Sequence, residues 1–221
     1  MKKVLFVIGF STTGKSSIGK NCHIIKEVSL IDTDLIVSEK YNKDNPHIYN
    51  IYCDLSDNIT GSRINAIKFI ENEEKEISKN LKNMVENNSM NKIIISCGPF
   101  IVTRDGFSSS LRWLRENHDV KVILLEKSPE SVYDGLTERI NHIRNNIGQH
   151  QNFGCWDEGV TMKYDSASKS WVPLDIITSI GNIKTIMDNV SVLYRKISDY
   201  SFQWNKKEEI CKFVSDFFGI K

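Results

Sequence analysis

The run Gly9-Phe10-Ser11-Thr12-Thr13-Gly14-Lys15-Ser16 constrains this chain more than any other stretch. It fits G-x-x-x-x-G-K-[ST]. Before it, Val4-Leu5-Phe6-Val7-Ile8 is a continuous apolar run, the pattern of a strand buried on both faces. After it, the residues from Lys15 to about Lys26 contain no proline and read as a helix. Strand, glycine loop and helix start are the context in which this motif cradles phosphate. Gly9 and Gly14 let the backbone turn tightly and approach an anion closely. Successive N–H groups from Ser11, Thr12 and Thr13 through Ser17, with the positive end of the helix, then point at the phosphates. Lys15 brings a point charge to the β- and γ-phosphates, and the Ser16 hydroxyl is a ligand for Mg²⁺. The expected cofactors are therefore ATP and Mg²⁺.

Composition narrows the partners. The chain has 221 residues and a net charge of +1, so no global field points to nucleic acid or an anionic membrane. That length fits one domain, or one domain with an insertion. No apolar run approaches membrane-spanning length. The N-terminal apolar run is short and cut by the glycine loop, unlike a signal peptide. Cys22, Cys53, Cys97, Cys155 and Cys211 are odd in number and scattered, without a C-x-x-C pair. This predicts neither a disulfide framework nor a zinc site, and a reducing, cytoplasmic setting. The expected partner is a small-molecule hydroxyl acceptor, bound by a monomer or homodimer.

Val28-Ser29-Leu30-Ile31 reads as a second strand ending at Asp32-Thr33-Asp34. In open α/β sheets ligands gather at the carboxyl ends of strands, and side chains two apart on a strand share a face. One carboxylate can then sit over the metal and the other over the hydroxyl to be phosphorylated. The other reading of the pair is helix capping ahead of Leu35-Ile36-Val37.

With these residues in view, the N-terminal part resembles the shikimate kinases. The match is carried by Gly9-Phe10-x-x-x-Gly14-Lys15-Ser16-Ser17-Ile18-Gly19-Lys20 and Ile31-Asp32-Thr33-Asp34-x-x-Val37. The resemblance implies a three-layer α/β P-loop kinase fold. Its five-stranded parallel sheet has the order 2-3-1-4-5, with a helical substrate segment and a lid. It also implies that Asp32 supports Mg²⁺ through water and that Asp34 contacts the acceptor hydroxyl as candidate base. The resemblance follows nearly the whole chain in outline, as one domain over 1–221, but is specific only in residues 4–37.

Residues 38–90 read as a polar helical substrate segment, punctuated by Asn45-Pro46 and Gly61, with Ile67, Ile70, Ile77, Leu81 and Met84 at mostly helical spacing. The family's Phe-Arg step, whose arginine grips the substrate carboxylate, aligns with Phe69-Ile70. An apolar side chain cannot replace that charge. Arg63 is the candidate replacement, or a solvated helix arginine. Lys92-Ile93-Ile94-Ile95-Ser96 reads as the third strand, followed by Cys97-Gly98-Pro99 and Arg104. Here the family has three glycines facing the substrate and this chain keeps only Gly98. Gly98 and Arg104 are candidate substrate contacts. Cys97 reads as a small buried residue rather than a nucleophile.

Asp105 to Asn117 reads as a helix and Lys121 to Leu125 as the fourth strand. Ser128-Pro129-Glu130 then starts a helix carrying Arg139 and Arg144. These are the candidates for an arginine that closes over the transferring phosphoryl group, although the family's Arg-Pro-Leu-Leu lid signature is missing. Residues 139–186 are expected to hold this lid plus an insertion. Val160 to Tyr164 and Ser170 to Val172 form a β-hairpin there, and Phe153, Trp156 and Trp171 supply aromatic surface. The hairpin shapes substrate choice, makes a dimer contact or merely decorates the surface. Asn189 to Ser198 reads as a helix in which Leu193-Tyr194 resembles a family step. Its substrate arginine is replaced by Val190. Tyr200 to Trp204 reads as the fifth strand, and Asn205 as the cap of the last helix, in a turn that lies beside adenine in the family.

The sequence thus predicts a kinase acting on a hydroxyl of a small polar metabolite other than shikimate. Two other readings stand beside it: a nucleotide-binding regulator without turnover, and a nucleoside or nucleotide kinase.

Overall fold

A computed structural model describes residues 1–24, 26–44, 62–147, 153–155, 160–165, 167, 170–173 and 175–220; for 62–63, 140, 142–147, 153–155, 160–165 and 170–173 the description is of the backbone. The strands are β1 (Lys3–Gly9), β2 (Ser29–Asp32), β3 (Lys92–Ser96), β4 (Asp119–Glu126), β5 (Phe153–Cys155), β6 (Val160–Asp165), β7 (Ser170–Pro173) and β8 (Tyr200–Gln203). The helices described are α1 (Ile18–Asn21), α2 (Thr33–Asp44), α3 (Ser62–Glu86), α4 (Phe107–Asn117), α5 (Pro129–Ile147), α6 (Ile176–Ile197) and α7 (Lys207–Phe218). The chain divides into two compact units. One comprises Met1–Val37, Asn72–Lys127 and Val190–Lys221, the other Ser38–Glu71 and Ser128–Asn189.

The first unit is built on a five-stranded sheet in the order β2-β3-β1-β4-β8, with every pairing parallel. This is the order 2-3-1-4-5 expected from the sequence. β1 is central because its apolar residues can be buried on both faces, and Val4 through Ile8 are fully buried. Alternation divides them. Leu5 and Val7 face a cluster with Ile18 and Cys22 beside α1 and with Ile210, Val214 and Phe218 of α7. Phe6 points the other way and meets Phe107 of α4 edge-on, with ring centroids 6.0 Å apart. Helices therefore cover both faces, which completes the three layers.

The segment after the glycine loop departs from expectation. Instead of one helix to about Lys26, a 3₁₀ turn at Lys15–Ser17 leads into the single turn of α1. His23 adopts a left-handed φ of 58°. The His23 N–H donates to the Lys20 carbonyl and the Ile24 N–H to the Gly19 carbonyl, each at 3.1 Å. This is the Schellman arrangement that terminates a helix. The last strand is also shorter than expected, with Trp204 lying just beyond β8.

The cysteine expectation is corrected at one pair. Cys22 and Cys211 form a disulfide, with Cα atoms 4.9 Å apart and 189 residues between them in sequence. Scattered positions concealed the pairing because α1 and α7 lie on the same sheet face. The bond removes the cysteine argument for a reducing compartment. Among the described residues Cys97 is the free cysteine, and it is buried. Cys53 and the side chain of Cys155 lie outside the described residues. No helix among the described residues is long and apolar enough to cross a membrane.

In the second unit the Ser128 hydroxyl accepts from the Ser131 N–H at 3.3 Å, so Ser128 caps α5 as expected, with Pro129 first in the helix. Tyr41 meets Phe69 edge-on at 4.9 Å. The expected hairpin is present as β6 and β7, paired antiparallel with Tyr164 opposite Trp171. A third strand unforeseen in the sequence, β5, pairs with β6 and places Gly154 opposite Thr161. α6 begins at Ile176, well before the expected Asn189, capped by the Asp175 carboxylate through the N–H groups of Ile177 and Thr178. The Asn45-Pro46 and Gly61 breaks and Trp156 lie outside the described residues.

Ile94, fully buried in β3, tests this core. Ile94→Ala should lower stability by about 2–5 kcal/mol, read from the urea midpoint at unchanged slope.

Candidate active site

The glycine loop leaves β1 in a conformation that its sequence explains. Gly9 has a φ of 146°, and a Cβ there would lie 2.5 Å from the Leu125 carbonyl oxygen. Gly14 has a φ of 86°. Between them Thr12 is left-handed at 62°, uncommon for a residue with a side chain. Local bonds hold this shape. The Lys127 ammonium donates to both the carbonyl and the hydroxyl oxygen of Thr12 at 3.2 Å. Thr13 Oγ1 and Lys15 Nζ both donate to the Phe10 carbonyl, at 2.9 and 2.8 Å. Lys15 is thus folded across the loop and buried, while Gly14, Ser16 and Ser17 are exposed. With only a 3₁₀ turn and one α turn behind it, the loop has little helix dipole to draw on. Any attraction for an anion would then come from its own N–H groups.

The paired acids are arranged differently from two neighbours on a strand. Asp32 ends β2, opposite Ser96 of β3 in register. Its Oδ1 accepts the N–H groups of Asp34 and Leu35 at 3.1 and 3.2 Å, so Asp32 does cap α2. Asp34 stands in the first turn of that helix, exposed, and reaches its place by helix geometry rather than strand alternation. It lies against Gly98, where a Cβ would sit 2.1 Å from Asp34 Oδ1. The Gly98 N–H donates to Thr33 Oγ1 at 2.7 Å. Glycine at 98 is therefore required for this carboxylate to approach the loop after β3.

Around the same glycine stands a residue the sequence reading passed over. Glu74 on α3 is buried, and its Oε1 would lie 3.4 Å from a Cβ on Gly98. Its Oε2 accepts from both Nε and a terminal nitrogen of Arg104, each at 2.7 Å. The signal was available. Glu74 shares its helical face with the buried Ile77, Ser78, Leu81 and Val85. A carboxylate on such a face needs a cation. Ser96 was also overlooked as a site residue. It ends the isoleucine run of β3, is buried, and its hydroxyl lies 3.3 Å from that of Ser16.

Electrostatics tie these groups together. Burial pushes the Cys97 thiol well above the ordinary thiol range; Lys15 opposes that rise, while Asp34 and Asp32 add to it. One buried sulfur thus feels the loop lysine and both acids, so the three charges stand at one end of the sheet. Cys97 is free and buried, the setting of a structural rather than a reactive cysteine.

On the other side of the loop a cavity of about 210 Å³ is bounded by Thr12–Gly14 and Ser17, by Leu125, Trp204 and Lys207, and by the Cys22–Cys211 pair. Lys127 lies 4.5 Å from the Trp204 ring centroid, a cation–π contact. Asn205 is exposed and is not the cap of α7. That position belongs to Lys206, which makes no side-chain cap bond.

The remaining expected residues are less assembled. Arg139 is half-buried on α5 in the second unit. Arg144 lies on α5 and Arg63 on α3, with side chains outside the described residues. Val190, where the family has an arginine, is buried in the core of the first unit. Four residues on, the Tyr194 hydroxyl donates to the Pro99 carbonyl and lies 3.5 Å from the Gly9 carbonyl.

Comparison with known structures agrees with this architecture. A shikimate kinase from Bacteroides thetaiotaomicron matches over 100% of both chains at 15% identity, with a TM-score of 0.55. A shikimate kinase from Acinetobacter baumannii, solved in complex with shikimate, matches over 99% of this chain and 94% of its own at 11% identity, with a TM-score of 0.56. No protein-family model matches the sequence, and no curated protein is significantly similar to it. The fold is that of the shikimate kinase-like P-loop kinases.

Protonated and enclosed, Cys97 should resist alkylation. In folded protein at pH 8, the peptide carrying Cys97 should remain unmodified by iodoacetamide, as read by mass spectrometry, and should react only after denaturation.

Proposed function

We propose that the protein is a kinase that transfers the γ-phosphoryl group of ATP to a hydroxyl of a small polar metabolite. The observation that carries this reading is that β1, which leads into the loop bearing Lys15, and β2, which ends at Asp32, both pair with β3, and that the exposed Asp34 stands against Gly98 in the loop that follows β3. Phosphoryl transfer asks little of the protein beyond positioning and charge neutralisation. Asp34 accepts the hydroxyl proton as the acceptor oxygen attacks. Lys15 leaves the Phe10 carbonyl to meet the phosphates, and the loop amides hold the β-phosphate. An arginine of α5, Arg139 or Arg144, closes over the transferring group. Mg²⁺ binds by few protein ligands and keeps several waters, which suits one exposed Ser16 hydroxyl with the Ser96 hydroxyl beside it and the free side of Asp32 nearby. It would neutralise charge on the β- and γ-oxygens.

The acceptor is a neutral polyol such as a cyclitol or sugar. Val190 brings no charge, and Arg104 already serves the buried Glu74. Around Gly98 stand two carboxylates and this one paired arginine, an environment that repels an acceptor carboxylate.

Lys15→Ala should abolish turnover. Asp34→Asn should leave nucleotide affinity within about twofold while kcat falls by roughly 10²–10⁴, the usual range for losing a general base. Wild-type kcat in Asp34→Asn would falsify the base assignment. Gly98→Ala forces Asp34 aside and should also depress kcat. Screening polyols and hydroxy acids for phosphorylated product tests the acceptor class, and efficient turnover of shikimate would overturn it.

A further inference from the structure

We infer that the Cys22–Cys211 disulfide is a redox-responsive element of the nucleotide site, and that its reduction by a dithiol weakens nucleotide binding. The inference rests on the nucleotide reading of the glycine loop and adds a regulator to it.

The bond occupies a particular place. Both cysteines line the cavity that Thr12–Gly14 and Ser17 line from the other side. Cys22 follows directly on α1, the single turn that continues the loop backbone. Cys211 lies in the first half of α7, the helix that follows Trp204 and bears the cavity residues Lys207 and Ile210. The bond therefore joins the wall that carries the phosphate loop to the wall that carries the aromatic ring. α1 has little else to fix it. Four residues cannot sustain a helix by themselves, and its end is held by the His23 turn and by Cys22. Removing the covalent tie leaves the segment from Ser17 to Cys22 held by side-chain packing and by its own short-range backbone bonds, with no covalent link to α7. A looser wall must be ordered when nucleotide enters, and that ordering cost subtracts from affinity.

The chemistry is accessible. Cys22 is buried, whereas Cys211 is half-buried and borders the open cavity. A thiolate of an external dithiol attacks Cys211 Sγ, the sulfur–sulfur bond breaks and Cys22 leaves as thiolate. The second thiol of the reductant then resolves the mixed disulfide. Two electrons and two protons pass to the protein, giving two thiols, and the dithiol becomes a disulfide. Bound nucleotide fills the cavity, so by reciprocity it should slow the reduction or shift it toward the bonded form.

The test is calorimetric titration of the full chain with a non-hydrolysable ATP analogue and Mg²⁺. It is done on air-oxidised protein, on the same protein after dithiothreitol, and on Cys211→Ser. Peptide mapping first establishes the Cys22–Cys211 link. The expected result is a Kd that rises about fivefold or more on reduction, within the usual range of site-to-site coupling. Cys211→Ser should show the weaker affinity with or without reductant. Equal affinity in both redox states, or tighter binding when reduced, overturns the inference while leaving the kinase reading in place. So does a map in which both thiols remain free after oxidation, or loss of far-UV circular dichroism on reduction, which would mark global unfolding. Absence of binding in every state overturns the inference and the nucleotide reading together. If Cys211→Ser does not fold, the comparison of oxidised and reduced wild type decides alone.

Discussion

The two-sided hydrogen bonding of β1 is the constraint on which the first unit depends. Its residues pair in parallel with β3 from Lys3 to Val7 and with β4 from Lys3 to Gly9. A strand in that position must be apolar on both faces, and it cannot shift without moving both neighbours. Its carboxyl end therefore delivers Gly9 beside Leu125, where only a glycine fits, and Val7 opposite Ser96. The loops that follow β1, β3 and β4 emerge together, and β2 adds Asp32 through its pairing with β3. The candidate site is assembled on that shared edge.

At the edge, close backbone approach and charge pairing divide the labour. Gly98 gives up a side chain so that Asp34 can reach the loop after β3. Thr33, immediately before Asp34, uses its hydroxyl to hold the Gly98 amide. Asp32 fixes the start of α2 and so sets the direction of Asp34. The two residues before Asp34, with Gly98 opposite, thus serve one carboxylate. The buried Glu74 with Arg104 forms a second acidic element on the same glycine. Removing Arg104 would leave the buried Glu74 carboxylate uncompensated, at a cost on the order of 3–5 kcal/mol.

The sequence was most readable where burial is local. Continuous apolar runs located the strands of the sheet, and the glycine motif with the Asp pair pointed to the strand ends that carry the candidate site. Readability failed where the deciding partner is distant. Cys22 and Cys211 look unpaired in a linear chain because helices folded onto one sheet face are remote in sequence. Glu74 reads as one acid in the polar run Glu71-Asn72-Glu73-Glu74 until its helical phase with Ile77 and Leu81 is counted and Arg104 is seen against it. The short α1 was misread because propensity favours continuing past Cys22. The turn at His23, bonded back to Lys20 and Gly19, overrides it. Asn205 was a reasonable capping residue, but the chain turns one position later.

Tyr194 gives the fold a mechanical property of its own. Its phenol, buried on α6, donates to the carbonyl of Pro99 and stands against that of Gly9. The two carbonyls belong to loops that leave different strands, so a single hydroxyl acts as a spacer between them. Their separation is set by the reach of one rigid ring rather than by either loop. Phenylalanine at 194 would keep the ring and lose the gauge, taking the donor from the Pro99 carbonyl and the hydroxyl from beside that of Gly9.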